Sequence, residues 1–170
     1  MAQHATAEAK LGQALREQLQ TLLDGGQAHA KFDDAVTDFP SHLCGIIPEN
    51  LPYSAWQILE HIRFAQRDIL DFSNNTDGSY KSPAWPEAYW PKNPQPPSAG
   101  AWNQSIAHIK EDRKAFEKLL KDSDDAALIA PFPWGDGQSL LREALLIADH
   151  AAYHTGELIV LRRLLGAWKK

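Results

Sequence analysis

The sequence predicts an all-α fold, a four-helix bundle with a long Pro-rich crossover between the second and third helices, in a single domain over residues 1–170. Two observations carry this reading. Four segments place apolar residues at three-or-four spacing, the period that gives a helix one apolar face. Residues 75–97, between the second and third of them, hold six prolines together with Trp85, Tyr89 and Trp90. Proline at that density neither continues a helix nor joins a central strand, and no alternating strand pattern stands out elsewhere.

The first segment, residues 6–23, sets Ala7, Leu11, Ala14 or Leu15, Gln18, Leu19 and Leu22 in one stripe, and Gly25-Gly26 supplies its stop. The second, about 54–73, opens at Ser54 with Gln57 three residues on, the spacing of a capping box, and continues through Ile58, Ile62, Ala65, Ile69 and Phe72. At 1.5 Å per residue it is about 30 Å long. The third runs from about Ser98 to Lys121 through Trp102, Ile106, Ile109, Phe116, Leu119 and Leu120. The fourth follows Ser139 as its cap and steps by fours and threes through Leu140, Ala144, Ile147, Ala151, His154, Leu158, Leu161, Leu165 and Trp168. Extended at about 3.3 Å per residue, the Pro-rich connector is long enough to run the length of the bundle, so helices two and three are expected to be parallel. Residues 27–39 could add a short helix using Ala28, Phe32, Ala35 or Val36, and Phe39.

A formal net charge of -5 argues against nucleic acid as a partner, because neutralising phosphates takes clustered Lys and Arg. Arg162, Arg163, Lys169 and Lys170 suit the negative end of a helix dipole instead. The single cysteine, Cys44, excludes an intramolecular disulfide and a Cys-based zinc site, and reads as a small apolar filler. The N-terminal residues have no basic stretch followed by an apolar run, and no segment approaches the roughly 18 apolar residues of a membrane span. A cytoplasmic protein without a membrane partner is expected.

Histidine carries the chemistry. His150 and His154 stand four apart on the fourth helix, so their rings leave one face in successive turns at roughly 5–6 Å between Cβ atoms. That spacing lets two imidazoles converge on one divalent transition-metal ion. His154 also occupies the apolar stripe, where a buried ring without a partner costs on the order of 1–3 kcal/mol. A metal would supply the partner; so would a tyrosine, an aspartate or a backbone carbonyl, and the spacing does not choose between them. For a third ligand, His61 borders the buried stripe of the second helix and is the best placed, with His108 on the third helix as the alternative. His4, His29 and His42 fall in a terminus or in connections, His29 having the best claim of the three.

Carboxylates stand near these positions. Glu157 follows His154 by three residues, Glu143 precedes His150 by seven, and Asp68 follows His61 by seven. They are candidates to orient the imidazoles or to act as general bases. Salt bridges to Arg142, Arg63 or Arg162 are the plainer use.

The segments SAWQILEHIRFAQRDILDFS, SPAWPEAYWP and LREALLIADHAAYHTGELIVLRRLLGAW resemble the DinB-like, damage-inducible superfamily, which also holds bacterial thiol-dependent transferases and isomerases and is distinct from the DNA polymerase of the same name. The resemblance spans roughly residues 8–168, and its specific part is one histidine on the second helix with His-x-x-x-His on the fourth. It implies a metal held by three histidines with one coordination position open, and, matched residue by residue, the ligands are His61, His150 and His154. Zinc or nickel, a homodimer, and a small-molecule substrate are implied with it. So is a metal-dependent hydrolase, or an S-transferase using a low-molecular-weight cellular thiol. Members with the same triad are implicated in different reactions, so a non-catalytic metal-binding or stress-response protein stays open beside an enzyme.

Overall fold

The computed structural model describes the backbone of residues 2–168 and the side chains of residues 10–168. His4, Ala7, Lys169 and Lys170 lie outside the described side chains. Six helices follow in order: α1 (Ala2–Asp24), α2 (Phe32–Val36), α3 (Ala55–Ser73), α4 (Ala101–Asp122), α5 (Asp125–Ile129) and α6 (Leu140–Leu164), with 3₁₀ turns at Ser41–Leu43 and Glu87–Tyr89. The fold is all-α: among the described residues there is no strand, only an isolated bridge between Pro131 and Ser139.

The helix ends follow the capping chemistry of the sequence. Ser54 Oγ accepts from the Gln57 amide at 3.2 Å while Gln57 Oε1 accepts from the Ser54 amide at 3.1 Å, which satisfies two otherwise orphaned donors at the start of α3. Ser139 Oγ accepts from the Arg142 amide at 3.3 Å and opens α6. That helix ends earlier than its apolar stripe, because Gly166 turns the chain left-handed at φ +69°. Trp168 therefore does not extend the stripe; its ring lies against the guanidinium groups of Arg162 and Arg163 at 5.8 and 5.3 Å. Helix α4 starts at Ala101 rather than Ser98, and α5, which the sequence pattern did not suggest, is capped by Asp124 accepting from the Ala127 amide at 2.7 Å.

Helix α1 is rotated relative to its expected face. Leu19 and Leu23 are buried, whereas Leu11 and Leu22 are exposed. The rotation is held by Arg16, which donates to the carbonyls of Leu120 and Ser123 at 3.2 and 2.8 Å and pairs with Asp125 at 2.6 Å.

Side-chain contacts between α3 and α4 advance together along both helices. Glu60 meets Ser105, Gln66 Nε2 donates to the Ile109 carbonyl at 2.6 Å, and Arg67 reaches Asp112 at 3.2 Å. Helix α6 runs against α3. Ile58 shares an apolar cluster with Leu158 and Leu161, and Leu70 shares another with Leu140, Ala144 and Ile147. On α6 the interval between these two clusters contains His150 and His154, so the histidines form a polar layer between apolar ones. No described helix is long and apolar enough to cross a membrane.

Candidate metal centre

Helices α3 and α6 bring His61, His150 and His154 together: one ring nitrogen of each lies within 4.8 Å of those of the other two. Among the described residues this is the only such group of three potential ligands. His61 and His154 are 3% and 6% exposed, and His150 is half-buried. The other described histidines take no part, since His29, His42 and His108 are exposed.

The second nitrogens of two rings are already committed. His61 Nδ1 lies 3.0 Å from the carbonyl oxygen of Tyr89, to which it can only donate, so its Nε2 is left bare. His154 Nδ1 lies 2.6 Å from Glu157 Oε2, and donation to that carboxylate frees its Nε2 in the same way. His150 Nε2 and His61 Nε2 face each other at 3.0 Å.

Burial holds all three imidazoles in the neutral form that ligates. It pushes His150 down to about 4, with the neighbouring His154 and His61 adding to the shift and Asp149 opposing it. His154 is likewise lowered to about 4, by burial first and His61 second. His61 is lowered by burial against the pull of the Tyr89 hydrogen bond and Glu157. Neutral rings converging on one point, two of them with the bare nitrogen fixed by a partner on the other, are the donor set that an imidazole-binding cation requires. The residues present therefore fit such an ion.

The connector builds the roof. Trp90 stacks on His61 at 3.9 Å with 7° between the planes, and Tyr53 stacks on Trp90 at 3.9 Å. Tyr89 offers its carbonyl to His61 and its hydroxyl to Asp68 Oδ2 at 2.6 Å, and the Tyr80 hydroxyl reaches Asp68 Oδ1 at 2.8 Å. Trp85 stays exposed and meets only the edge of Tyr89. Neither Tyr53 nor the Tyr89 carbonyl was marked by the sequence pattern. Their signal was the density of aromatics beside a histidine helix, and a backbone oxygen leaves no trace in side-chain identity.

The three carboxylates part company. Glu157 touches the triad, and burial raises its carboxyl above the ordinary range against the opposing hydrogen bond from Tyr153 and the pull of His61. Asp68 is occupied by the two tyrosine hydroxyls, so it reaches the triad only through Tyr89. Glu143, 2% exposed, pairs with its neighbour Arg142 at 2.6 Å. Arg63 pairs with Glu60 at 2.8 Å. Cys44 is buried and its thiol is pushed up to about 11 by burial, which suits a filler and not a nucleophile.

A largely buried triad of imidazoles from two helices of an all-α fold defines a protein that could hold a metal ion. The sequence model of the DinB superfamily matches residues 11–158, and the chain belongs to that superfamily. No curated protein and no solved structure matches it.

Proposed function

We propose that the chain is a metal-dependent enzyme of hydrolase or S-transferase type, holding one divalent transition-metal ion on His61, His150 and His154 and leaving a coordination position to a small-molecule substrate. The observation that carries this reading is the pairing of the outward nitrogens of two of the three rings with fixed acceptors: Tyr89 O for His61 and Glu157 for His154. Hydrogen bonds of this kind set the tautomer and the ring direction of a ligand, and a histidine that only filled the core would not need its other nitrogen bare. When bound, the ion would supply the Lewis acidity that lowers the pKa of a water or thiol near neutral pH. Zinc or nickel suits an all-imidazole set.

The protein's own groups would do the rest. Trp90 and Tyr53 exclude water on the His61 side, and among the described residues Glu157 is the carboxylate hydrogen-bonded to the triad, placed to orient His154 and to take up a proton there. This reading takes the topology as the expected four-helix bundle of α1, α3, α4 and α6, with the Pro-rich connector as a crossover between parallel α3 and α4. The same reading takes a homodimer and a low-molecular-weight thiol as partners. Metal content measured on the purified chain tests it: about one ion per chain is expected in the wild type, with loss in His61→Ala, His150→Ala and His154→Ala. Unchanged content in those variants overturns it.

A further inference from the structure

Beside the histidines, a cleft of about 290 Å³ is lined by Leu51, Tyr53, Ile58, Gly156, Val160 and Glu157. Its walls belong to the histidine site. Ile58 precedes His61 by one turn of α3, Glu157 accepts from His154, and Tyr53 stacks on the Trp90 ring that covers His61. Apart from Glu157 the lining carries no charge, although it opens to solvent, where Val160 is exposed.

Gly156 is the odd residue in that wall. Glycine in a helix interior weakens the helix relative to alanine. A Cβ at this position would meet nothing within 4 Å, so no neighbour inside the chain requires the glycine. What its missing side chain preserves is the volume of the cleft. The volume is that of a small-molecule segment, and the cleft adjoins the triad through Glu157, which lines it and accepts from His154.

Resting on the metal reading above, we propose that the cleft binds the apolar part of the site's substrate: a small molecule with a donor head at the triad and an uncharged aliphatic or aromatic tail against Tyr53, Ile58 and Val160. Glu157 disfavours a tail that ends in an anion.

Straight-chain hydroxamates of two to eight carbons, titrated calorimetrically into the zinc-loaded full chain, test this, since the head binds zinc and only the tail varies. Affinity is expected to rise by up to about fourfold per buried methylene until the cleft is filled. Gly156→Leu should flatten the series while zinc content and molecular mass stay as in the wild type, and the exposed Val160→Asn should weaken the long chains and spare the short ones. A flat series in the wild type, or a slope that survives Gly156→Leu, overturns the inference. A change of oligomeric mass in Gly156→Leu overturns it too, because the glycine would then serve a contact with another copy. Failure of the wild type to take up zinc contradicts the metal reading itself, and is read separately from the chain-length series.

Discussion

The Nε2 atoms of His61 and His150 face each other across 3.0 Å, one from α3 and one from α6, although their positions are 89 apart in the sequence. Because His61 donates through Nδ1 to the Tyr89 carbonyl, its Nε2 has only a lone pair to offer. Two such nitrogens meet comfortably around a shared proton or a shared cation. With the third imidazole, from His154, a cation could satisfy all three rings, which one proton cannot do.

The histidines make folding of the metal-free chain sensitive to acid. Their ordinary value is near 6.5, and burial takes His150 and His154 down to about 4. In the unfolded chain both rings bind protons as pH drops through 6.5, while in the folded chain they resist until about 4. The unfolded state thus holds more protons in that window, and stability falls as pH falls from about 6.5 toward 4. Urea midpoints of the chelated protein should drop more over this range than those of a His150→Asn, His154→Asn variant. Equal pH dependence in the two proteins contradicts the assignment.

Glu157 should matter through His154. Partners that orient a metal-ligating histidine typically contribute 10–100-fold in affinity. Glu157→Ala is expected to weaken metal binding about tenfold or more, and Glu157→Gln, which keeps an acceptor oxygen, by less. Competition against a chromophoric chelator measures both. An unchanged affinity in Glu157→Ala removes the residue from the site.

Much of the fold could be read from the sequence, and the reasons are local. Ser54 and Gln57 form their capping box with atoms only three residues apart, and the fourth-helix stripe from Leu140 to Leu161 is set by periodicity alone. The meeting of the three histidines was legible for the same reason, because the i,i+4 pair needed only one more histidine on a second periodic helix. The rotation of α1 was not, since it depends on Arg16 reaching carbonyls more than 100 residues away. Nor was the roof over His61: it depends on the path of a proline-rich connector, which has no period, and on the carbonyl of Tyr89, which any residue could provide.

Asp68 anchors that connector. Both carboxylate oxygens accept from tyrosine hydroxyls, so Asp68→Ala leaves two half-buried hydroxyls without their partner and frees the segment that carries Tyr89 and Trp90. A loss of about 1–3 kcal/mol in unfolding free energy is expected, together with a weaker metal site, since His61 loses a fixed acceptor. Tyr80→Phe, which removes one donor and leaves Tyr89 in place, should cost less and leave metal affinity near the wild type. If both variants affect metal equally, the connector does not act through Tyr89.

Arg162 separates structural from functional effects. It is 3% exposed and donates to five backbone carbonyls: those of Asp34, Ala35, Thr37 and Asp38 around the end of α2, and that of Ala167 beyond the end of α6. Its charge thus serves the negative end of α2 as well as its own helix. Arg162→Ala should destabilise by about 2–3 kcal/mol, and Arg162→Lys by a similar amount because one ammonium cannot span the fork. Metal stoichiometry should not move. Loss of metal in a folded Arg162 variant contradicts the separation.

The most direct measurement is X-ray absorption at the edge of the bound metal, comparing the wild type with His154→Ala. A wild-type spectrum with the scattering of three imidazoles and lighter ligands beyond them, falling to two imidazoles in the variant, is the expected result. A wild-type spectrum without imidazole scattering, or one that His154→Ala leaves unaltered, would place the metal elsewhere and contradict the triad.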